Sequence, residues 1–238
     1  LPSLNSEGLL GGAFYFDGQV TFPERLVVEN LRDATDHGAE LATYTQATSF
    51  IVERGRVRGL RWRNRIGQEG EARAAVIVNA AGPWVDEVLG DLGKRPFIGG
   101  TKGSHLVVDP FPGAPDAALY VEASSDGRPF FILPWNDLLL IGTTDQDHDS
   151  ETDSIAASAK EIAYLCDAAS GYFARPVTPD DVVWSYAGVR PLIDDGSDRP
   201  EAATRGYRLE LDQGGKGEAP ALHVLGGKIT TYRHLAAE

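Results

Sequence analysis

The sequence predicts a mixed α+β fold in which an antiparallel-leaning sheet is combined with helix-containing α/β portions. Three observations support this prediction. Helix and strand patterns alternate over residues 19–92, whereas the strands of residues 93–214 are joined mainly by Pro- and Gly-rich loops. Residues 215–238 then return to a strand, a pair of glycines and a helix start. We therefore divide the chain into an extended arm at 1–18 and three segments at 19–92, 93–214 and 215–238.

The first helix is the best-marked element of the N-terminal part. An extended aromatic arm precedes it. Thr21 and Glu24 have the spacing of a capping box, Pro23 suits the first turn, and Gly38 marks the end. Val27, Leu31 and Ala34 form one apolar stripe along it.

Three strands are predicted after this helix, at residues 39–52, 57–62 and 71–78. The last of them runs into Asn-Ala-Ala-Gly at 79–82, and Pro83 begins a helix. Small residues at a strand end leave room for a nucleotide to lie across the edge of a sheet. They also suit ordinary packing, so this pattern alone leaves both interpretations open.

The central strands are predicted at residues 102–109, 130–135 and 138–143, and their short connections favour antiparallel pairing. A hairpin turn at 136–137 joins the last two. It is expected to bring together the side chains of Phe131, Leu133, Leu139 and Ile141. A second helix is predicted to end at Gly171, with one face formed by Ile155, Ala159, Ile162, Cys166 and Ala169.

Residues 182–195 contain one arginine, Arg190, which follows a run of mostly apolar residues. A largely buried strand is favoured by Val182, Val183, Trp184 and Tyr186. Pro191 is expected to end its ladder immediately after Arg190. A guanidinium at a strand end offers a planar and permanently charged fork for a carboxylate or a phosphate. An ion pair with Asp194 or Asp195 is the structural alternative.

A short apolar strand near the C-terminus runs into two glycines and a helix start. The strand contains Leu222, Val224 and Leu225, and Gly226 and Gly227 follow it. Glycines at this place let a ligand approach the backbone, and a helix N-terminus presents amides with a partial positive charge. Such an end favours an anion, although the spacing is not that of an NTP-binding loop.

Composition excludes several classes of function. The 238 residues carry a formal net charge of −13, which argues against nucleic acid and against an anionic lipid surface as partners. The single cysteine, Cys166, excludes an internal disulfide and multi-cysteine metal sites. The acidic run at 145–153 is similar to a calcium loop, but Ser150 and Ala156 replace the required glycine and glutamate, so no metal site is predicted. No apolar run has the length of a membrane span.

Five short motifs occur in one order along the chain. They are Asn-Ala-Ala-Gly-Pro-Trp at 79–84, Lys-Gly-Ser-His at 102–105, Ile-Gly-Thr-Thr-Asp at 141–145, Gly-Val-Arg-Pro-Leu at 188–192 and Gly-Gly-Lys-Ile-Thr-Thr-Tyr-Arg at 226–233. Together they resemble the FAD-dependent glycerol-3-phosphate dehydrogenases and, more broadly, the D-amino-acid oxidase-like flavoproteins. The resemblance runs from Gly11 to the last residue.

This resemblance implies an enzyme in which C2 of glycerol 3-phosphate gives a hydride to FAD and dihydroxyacetone phosphate is formed. It implies quinone as the electron acceptor, a cytoplasmic location at the inner face of the membrane, and it allows a homodimer. The implied FAD contacts are Ala47, Ala80, Gly82, Gly226, Gly227, Lys228, Ile229 and Thr230. By that resemblance residues 93–214 bind the substrate, and the flanking segments belong to the FAD domain.

The resemblance also implies roles around the substrate. His105 is the candidate catalytic base or hydrogen-bond donor, because an imidazole can take the proton of a carbinol hydroxyl. Arg190, Arg205 and Lys228 are the candidate cations around the phosphate, with Arg190 also counted as catalytic. A histidine satisfied by a neighbouring carbonyl, and an ordinary exposed strand arginine at 205, are the structural alternatives.

One part of the family pattern is missing. The family opens with a strand, a Gly-x-Gly-x-x-Gly turn and a helix that bind the FAD pyrophosphate, and Gly8, Gly11 and Gly12 lack this spacing. We therefore expect a central portion of a longer enzyme that by itself holds no FAD and is inactive. Two other functions stay open: a related FAD oxidoreductase in which Arg190 clamps the carboxylate of an amino acid or 2-hydroxy acid, and a non-catalytic binding domain.

Overall fold

A computed structural model describes residues 4–54, 56–89, 98–147, 155–193, 206–212 and 221–238. The chain divides into two compact units. The first comprises residues 1–17 and 100–190, and the second comprises residues 18–99 and 191–238. Sheets and helices occur together, which confirms the mixed α+β prediction.

The described residues form four helices and twelve strands, with short 3-10 turns at Gly82–Trp84, Pro179–Asp181 and Ile229–Thr231. The helices and strands are α1 Pro23–Asp36, β1 Thr45–Glu53, β2 Arg56–Asn64, β3 Glu69–Arg73, β4 Ile77–Asn79, α2 Val85–Leu89, β5 Ile98–Val108, β6 Leu119–Glu122, β7 Pro129–Trp135, β8 Leu138–Gly142, β9 Gln146–Asp147, α3 Ala159–Ser170, β10 Val182–Ile193, β11 Tyr207–Asp212, β12 Ala221–Gly226 and α4 Tyr232–Ala237.

A six-stranded sheet organises the first unit. Its strand order is β10-β5-β8-β7-β6, and β9 pairs with β5. The pairs β5–β8, β5–β9, β6–β7 and β7–β8 are all antiparallel, which confirms the expected antiparallel character. Helix α3 packs on one face, where Leu165, Cys166 and Ala169 meet the buried side chains of the strands. Cys166 is buried there, as expected of a small core residue.

Strand β5 presents alternate residues to opposite faces of this sheet, as strand geometry requires. Leu106 and Val108 belong to the core shared with α3. His105 points the other way and stacks against Tyr186 of β10. The face away from α3 therefore carries the candidate catalytic histidine, while the α3 face carries the hydrophobic core.

The predicted hairpin at 136–137 is present, but the expected side-chain partners were wrong by one residue. Trp135 pairs with Leu138, and Ile132 therefore lies opposite Ile141. Phe131 pairs with Gly142 and is 41% exposed, whereas Ile132 is fully buried. A two-residue turn sets this register, and a shift of one residue exchanges the two faces of a strand.

Strand β10 does not end at Arg190, as the sequence had suggested, but continues through Pro191 to Ile193. It lies at the edge of the six-stranded sheet, where a proline without an N–H group is tolerated because, among the described strands, β10 pairs on one side only. The edge position also explains why Val183 and Trp184 are more than half exposed rather than buried.

Helix α3 begins later than its apolar pattern suggested, at Ala159, so Ile155 lies before it. Ser158 caps the first turn, and its side chain and that of Glu161 form a complete capping box. Gly171 follows the last turn, as expected.

The second unit contains two three-stranded sheets. Strands β1, β2 and β3 form an antiparallel sheet, while β12 lies between β11 and β4 and runs parallel to β4. The single strand predicted at 71–78 was wrong, because its first half belongs to β3 and its second half to β4. The strand predicted from residue 39 begins only at Thr45.

Helix α1 is present, but the capping box predicted at its start is corrected. Phe22 occupies the N-cap without a side-chain hydrogen bond, so Thr21 and Glu24 do not form a capping box there. Pro23 sets the first helical turn instead, because its fixed φ suits that position. None of the α1 residues is buried, and Val27 is 48% exposed.

Candidate functional site

His105 lies in a tight setting on the face of the sheet away from α3. Its ring stacks on Tyr186, with centroids 4.8 Å apart and planes 9° apart. The opposite residue across the strand pair is Gly142, where a Cβ atom would lie 2.4 Å from Cδ2 of the imidazole. The ring therefore occupies space that only a glycine at this position provides.

The imidazole of His105 is neutral at physiological pH. Burial lowers its pKa, and the positive charge of Arg190 lowers it further, to about 4. The Nδ1 atom is buried and makes no hydrogen bond within the described part of the chain. A neutral ring with an unengaged nitrogen can accept a proton, and this is the chemistry expected of a base.

Arg190 is held in one orientation beside His105. Its Nη2 atom donates to Oγ1 of Thr143 at 2.8 Å, and Nη1 donates to the carbonyl oxygen of Thr144 at 3.3 Å. Nη1 also contacts the Asp145 carboxylate at 3.2 Å. The expected structural partners, Asp194 and Asp195, lie outside the described residues. The residues that follow β8 thus fix the guanidinium, and its positive charge still lowers the pKa of His105.

Gly103 allows this position of Arg190. A Cβ atom on Gly103 would lie 2.3 Å from Nη2 and 2.6 Å from Cζ, so the guanidinium rests directly against the backbone of β5. Gly103 and His105 are two residues apart on one strand and therefore face the same side. The structure thus brings together two of the predicted site residues, His105 and Arg190, on one face of the first unit.

An aromatic wall continues from His105 along β10. Tyr186 stacks on His105, and Trp184 lies against Tyr186 with ring centroids 5.1 Å apart. Alternate residues of β10 supply both rings, as one face of a strand must. This wall holds the histidine ring in a fixed plane.

In the second unit, two predicted loops meet at one sheet edge. Strands β4 and β12 are parallel and pair His223 with Asn79, so their carboxyl ends point the same way. The segment 80–82 follows β4, and the 3-10 turn it leads into contacts β12. The segment 226–230 follows β12. Ligands of open α/β sheets bind at such carboxyl ends.

Three glycines shape this edge. Gly82, Gly226 and Gly227 have φ values of 56°, 70° and 101°, which residues other than glycine rarely adopt. A Cβ atom on Gly226 would lie 2.7 Å from the carbonyl oxygen of Gly206, whereas no atom of the described residues lies within 4 Å of a Cβ on Gly82. The backbone is therefore open at Gly82 and tightly fitted at Gly226.

Asn79 secures the first loop of this edge. Its buried amide donates to the carbonyl oxygen of Val85 at 3.0 Å and accepts from the backbone N–H of Ala81 at 3.3 Å. The sequence had placed Asn79 in a motif without assigning this role. One side chain thus joins the end of β4 to the first turn of α2.

The remaining predicted residues are placed as follows. Ala47 lies exposed in β1, next to a bulge in the separate antiparallel sheet. Lys228, Ile229 and Thr230 are exposed at the start of the 3-10 turn before α4. Arg205 lies outside the described residues, as do Asp149, Glu151 and Asp153 of the acidic run.

Sequence reasoning missed several residues that build the first-unit site. Gly103, Asp145 and Tyr186 lay inside or beside quoted motifs, but their contacts with Arg190 and His105 depend on strand pairing. Glu161 could have been found, because Ser158 and Glu161 have capping-box spacing before an apolar run.

The described residues contain no group of three or more histidine, cysteine or acidic side chains that could hold a metal ion. Nor does any helix within the described ranges combine the length and the apolar character needed to span a bilayer.

Comparison with known proteins shows which family and which relatives this chain is similar to. The sequence pattern of the family described as FAD dependent oxidoreductase matches residues 1–233. The chain is 41% identical over 246 residues to a glycerol-3-phosphate dehydrogenase of Synechocystis sp., which covers 98% of the chain and 44% of that relative. It is also 41% identical over 219 residues to the D-erythritol 1-phosphate dehydrogenase of Brucella abortus, covering 89% of the chain and 42% of that protein.

Among solved structures, the glycerol-3-phosphate dehydrogenase from Bacillus halodurans complexed with FAD is 33% identical, with a TM-score of 0.76. The match covers 90% of this chain and 40% of that structure. The chain therefore spans less than half the length of the relatives that it matches.

Proposed function

Because the chain belongs to the family of FAD-dependent oxidoreductases, we propose that it forms the substrate side and part of the cofactor side of an enzyme that oxidises sn-glycerol 3-phosphate to dihydroxyacetone phosphate. The predicted D-amino-acid oxidase-like fold is confirmed by this membership, and FAD is the cofactor. The observation that carries the proposal is the placement of Arg190 beside a neutral His105 on the face of the sheet away from α3.

Arg190 would bind the phosphate of the substrate. Its contacts with Thr143, Thr144 and Asp145 fix the guanidinium before the ligand arrives, so little side-chain entropy is lost on binding. A planar, permanently charged fork matches phosphate geometry. Lys228 and Arg205 are proposed as further cations for the phosphate.

His105 would accept the proton of the C2 hydroxyl. Its lowered pKa keeps the imidazole neutral at physiological pH, and stacking on Tyr186 holds the ring plane. An anionic substrate bound beside Arg190 offsets part of the positive charge that lowers this pKa, so the basicity of His105 rises when the substrate is present. The histidine is thus a weak base when free and a stronger one in the complex.

The carboxyl ends of β4 and β12 would contact FAD. The open backbone at Gly82 and the positive φ values of Gly226 and Gly227 fit a cofactor that lies close to the main chain. Ala80, Ile229, Thr230 and, on β1, Ala47 are the other proposed contacts. FAD, when bound, supplies the hydride acceptor.

The wider setting of the enzyme is also a proposal. Quinone would accept the electrons, and the protein would lie peripherally at the inner face of the cytoplasmic membrane, where quinone is available. Assembly as a homodimer fits this setting. The acidic net charge of −13 means that attachment to an anionic bilayer would need a local basic or apolar surface rather than the overall field.

A second substrate is favoured by one specific observation. The D-erythritol 1-phosphate dehydrogenase of Brucella abortus is as similar to this chain as the first glycerol-3-phosphate dehydrogenase, at 41% identity. Both names describe a polyol phosphate, so Arg190 and His105 would keep the same roles. The number of substrate carbons beyond the reacting carbinol would decide between the two substrates.

The test uses the FAD-loaded holoenzyme, meaning a protein of the relatives' full length that contains this chain. Dye reduction is measured at equal flavin loading with glycerol 3-phosphate, D-erythritol 1-phosphate, sarcosine and 2-hydroxyglutarate. We expect reduction with glycerol 3-phosphate and a kcat/KM at least tenfold lower with the others. Preference for D-erythritol 1-phosphate would move the proposal to the second substrate, and reduction only with sarcosine or 2-hydroxyglutarate would refute a phosphate site.

A further inference from the structure

A buried carboxylate on α3 makes more contacts than its helix needs. Glu161 is only 1% exposed. Its Oε2 atom accepts from the backbone N–H and hydroxyl of Ser158, at 2.9 and 2.6 Å, and pairs with Lys102 Nζ at 2.7 Å. Its Oε1 atom accepts from the hydroxyls of Ser104 at 2.7 Å and Thr144 at 3.1 Å.

The two oxygens therefore serve different elements. Oε2 completes the capping box of α3, a task that exposed glutamates perform on helix surfaces without burial. Oε1 reaches the two strand residues behind the site. Burying a carboxylate is costly unless it is fully paired, so capping alone does not account for this arrangement. Burial by itself would raise the pKa of Glu161, but hydrogen bonds from Lys102, Ser158 and Ser104 lower it to about 2, so the side chain stays ionised.

Thr144 connects this carboxylate to Arg190. Its hydroxyl donates to Glu161 and accepts from the backbone N–H of Ser104 at 2.9 Å. Its carbonyl oxygen accepts from Arg190 Nη1 at 3.3 Å. Ser104 itself lies between Gly103, which touches the guanidinium, and His105. Ser104 and Thr144, which both donate to Glu161 Oε1, therefore border the site from the α3 face of the sheet.

We propose that Glu161, ionised and paired with Lys102, is a positioning residue that holds Thr144 and Ser104 from the α3 face of the sheet and thereby orients Arg190 and His105 on the opposite face. This inference rests on the proposed function for its catalytic consequence, but the orientation of Arg190 relative to His105 is measurable without substrate. Glu161 touches neither the substrate nor the cofactor in this role.

The kinetic test compares three variants of the holoenzyme. Thr144→Val removes the hydroxyl that Glu161 binds while keeping side-chain shape, and Glu161→Gln removes the charge. Ser158→Ala is the control, because it weakens the helix cap and leaves Oε1 untouched. We expect KM for glycerol 3-phosphate to rise on the order of tenfold in the first two, with kcat changed less, since misplaced binding groups act strongly over short distances. Ser158→Ala lowers the thermal midpoint and leaves KM unchanged.

The second readout is the titration of His105 in substrate-free holoenzyme with isotope-labelled histidine. Burial of the ring, on which Tyr186 stacks, is the larger cause of its low pKa, and the charge of Arg190 is the smaller one. If Arg190 moves away, the midpoint rises from about 4 by the part that its charge contributes. Loss of the negative charge of Glu161 would by itself move it downward, so a rise in Glu161→Gln reports repositioning. Thr144→Val changes no charge and should raise the midpoint too.

The outcomes separate this proposal from the proposed function. No dye reduction with glycerol 3-phosphate in the parent holoenzyme would refute the function, while the His105 titration would still decide the positioning role. An unchanged or lowered midpoint in both Glu161→Gln and Thr144→Val overturns the positioning role. So does an increase of KM in Ser158→Ala as large as that in Thr144→Val.

Discussion

The guanidinium of Arg190 rests against the α-carbon of Gly103, so closely that a Cβ atom on Gly103 would lie 2.3 Å from Nη2. A real side chain at this position would have to displace Arg190, which is the flexible partner. A single methyl group on β5 can therefore move the charge of Arg190, which is the proposed phosphate-binding group and, after burial, the second cause of the low pKa of His105.

Gly103→Ala should raise KM for glycerol 3-phosphate by about tenfold or more, approaching the effect of Arg190→Lys, whose ammonium cannot reproduce a planar fork. The control is Gly171→Ala after α3, where a Cβ meets only an ordinary contact at 3.5 Å. Steady-state kinetics of the holoenzyme decide the matter. Equal KM values for Gly103→Ala and Gly171→Ala would contradict this role of Gly103.

His105→Asn should lower kcat by about 100-fold or more, because a positioned base contributes this much to proton transfer. In the parent enzyme the base must be unprotonated, so kcat/KM should be lost only as the pH falls toward the His105 pKa of about 4, not near the ordinary value of 6.5. The variant should lack this acidic limb. A limb near pH 6 that persists in the variant would belong to the substrate phosphate instead.

Gly82→Asn should weaken FAD binding without unfolding the second unit. Asparagine tolerates the positive φ of 56°, and no atom of the described residues lies within 4 Å of the added Cβ, so the side chain can enter the space proposed for the cofactor. Gly67→Asn is the matched control, since Gly67 has a φ of 81° and equally open surroundings in the turn between β2 and β3. Flavin content per protein, read by absorbance, should fall only in Gly82→Asn.

Glu161→Gln should destabilise the protein in a pH-dependent way. Hydrogen bonds and the Lys102 pair lower the Glu161 pKa from 4.5 to about 2, against the effect of burial. The ionised carboxylate thus stabilises the fold above pH 4.5, and this contribution is lost as the pH falls through about 2. The difference between the Glu161 pKa of the unfolded and the folded protein corresponds to about 3 kcal/mol of stability.

Denaturant unfolding at pH 7 and at progressively lower pH measures this contribution. The parent should lose its advantage over Glu161→Gln as the pH falls. Exposed Glu29 on α1 supplies the control, because Glu29→Gln removes only surface pairs and should change stability by less than about 1 kcal/mol throughout. A pH-independent difference for Glu161→Gln would show that ionisation is not what stabilises the fold.

The sequence alone determined those properties that depend on local pattern. The order of five motifs indicated the family, period-two and helical patterns located most strands and helices, and the Gly-Gly-Lys segment after a strand indicated an open loop before a helix. Composition argued against a nucleic-acid partner and excluded an internal disulfide, and neither net charge nor cysteine count depends on the fold. These inferences needed only residues close in the chain or totals over it.

Tertiary structure alone decided which distant residues meet. Arg190 reaches Gly103 and Asp145 because β10 lies beside β5, and Glu161 reaches Thr144 because α3 packs on the opposite face. The register of the β7–β8 hairpin exchanged its buried and exposed side chains, and pairing divided the strand predicted at 71–78 between two sheets. Strand order and register arise from burial summed over the whole chain, so no local pattern could have supplied them.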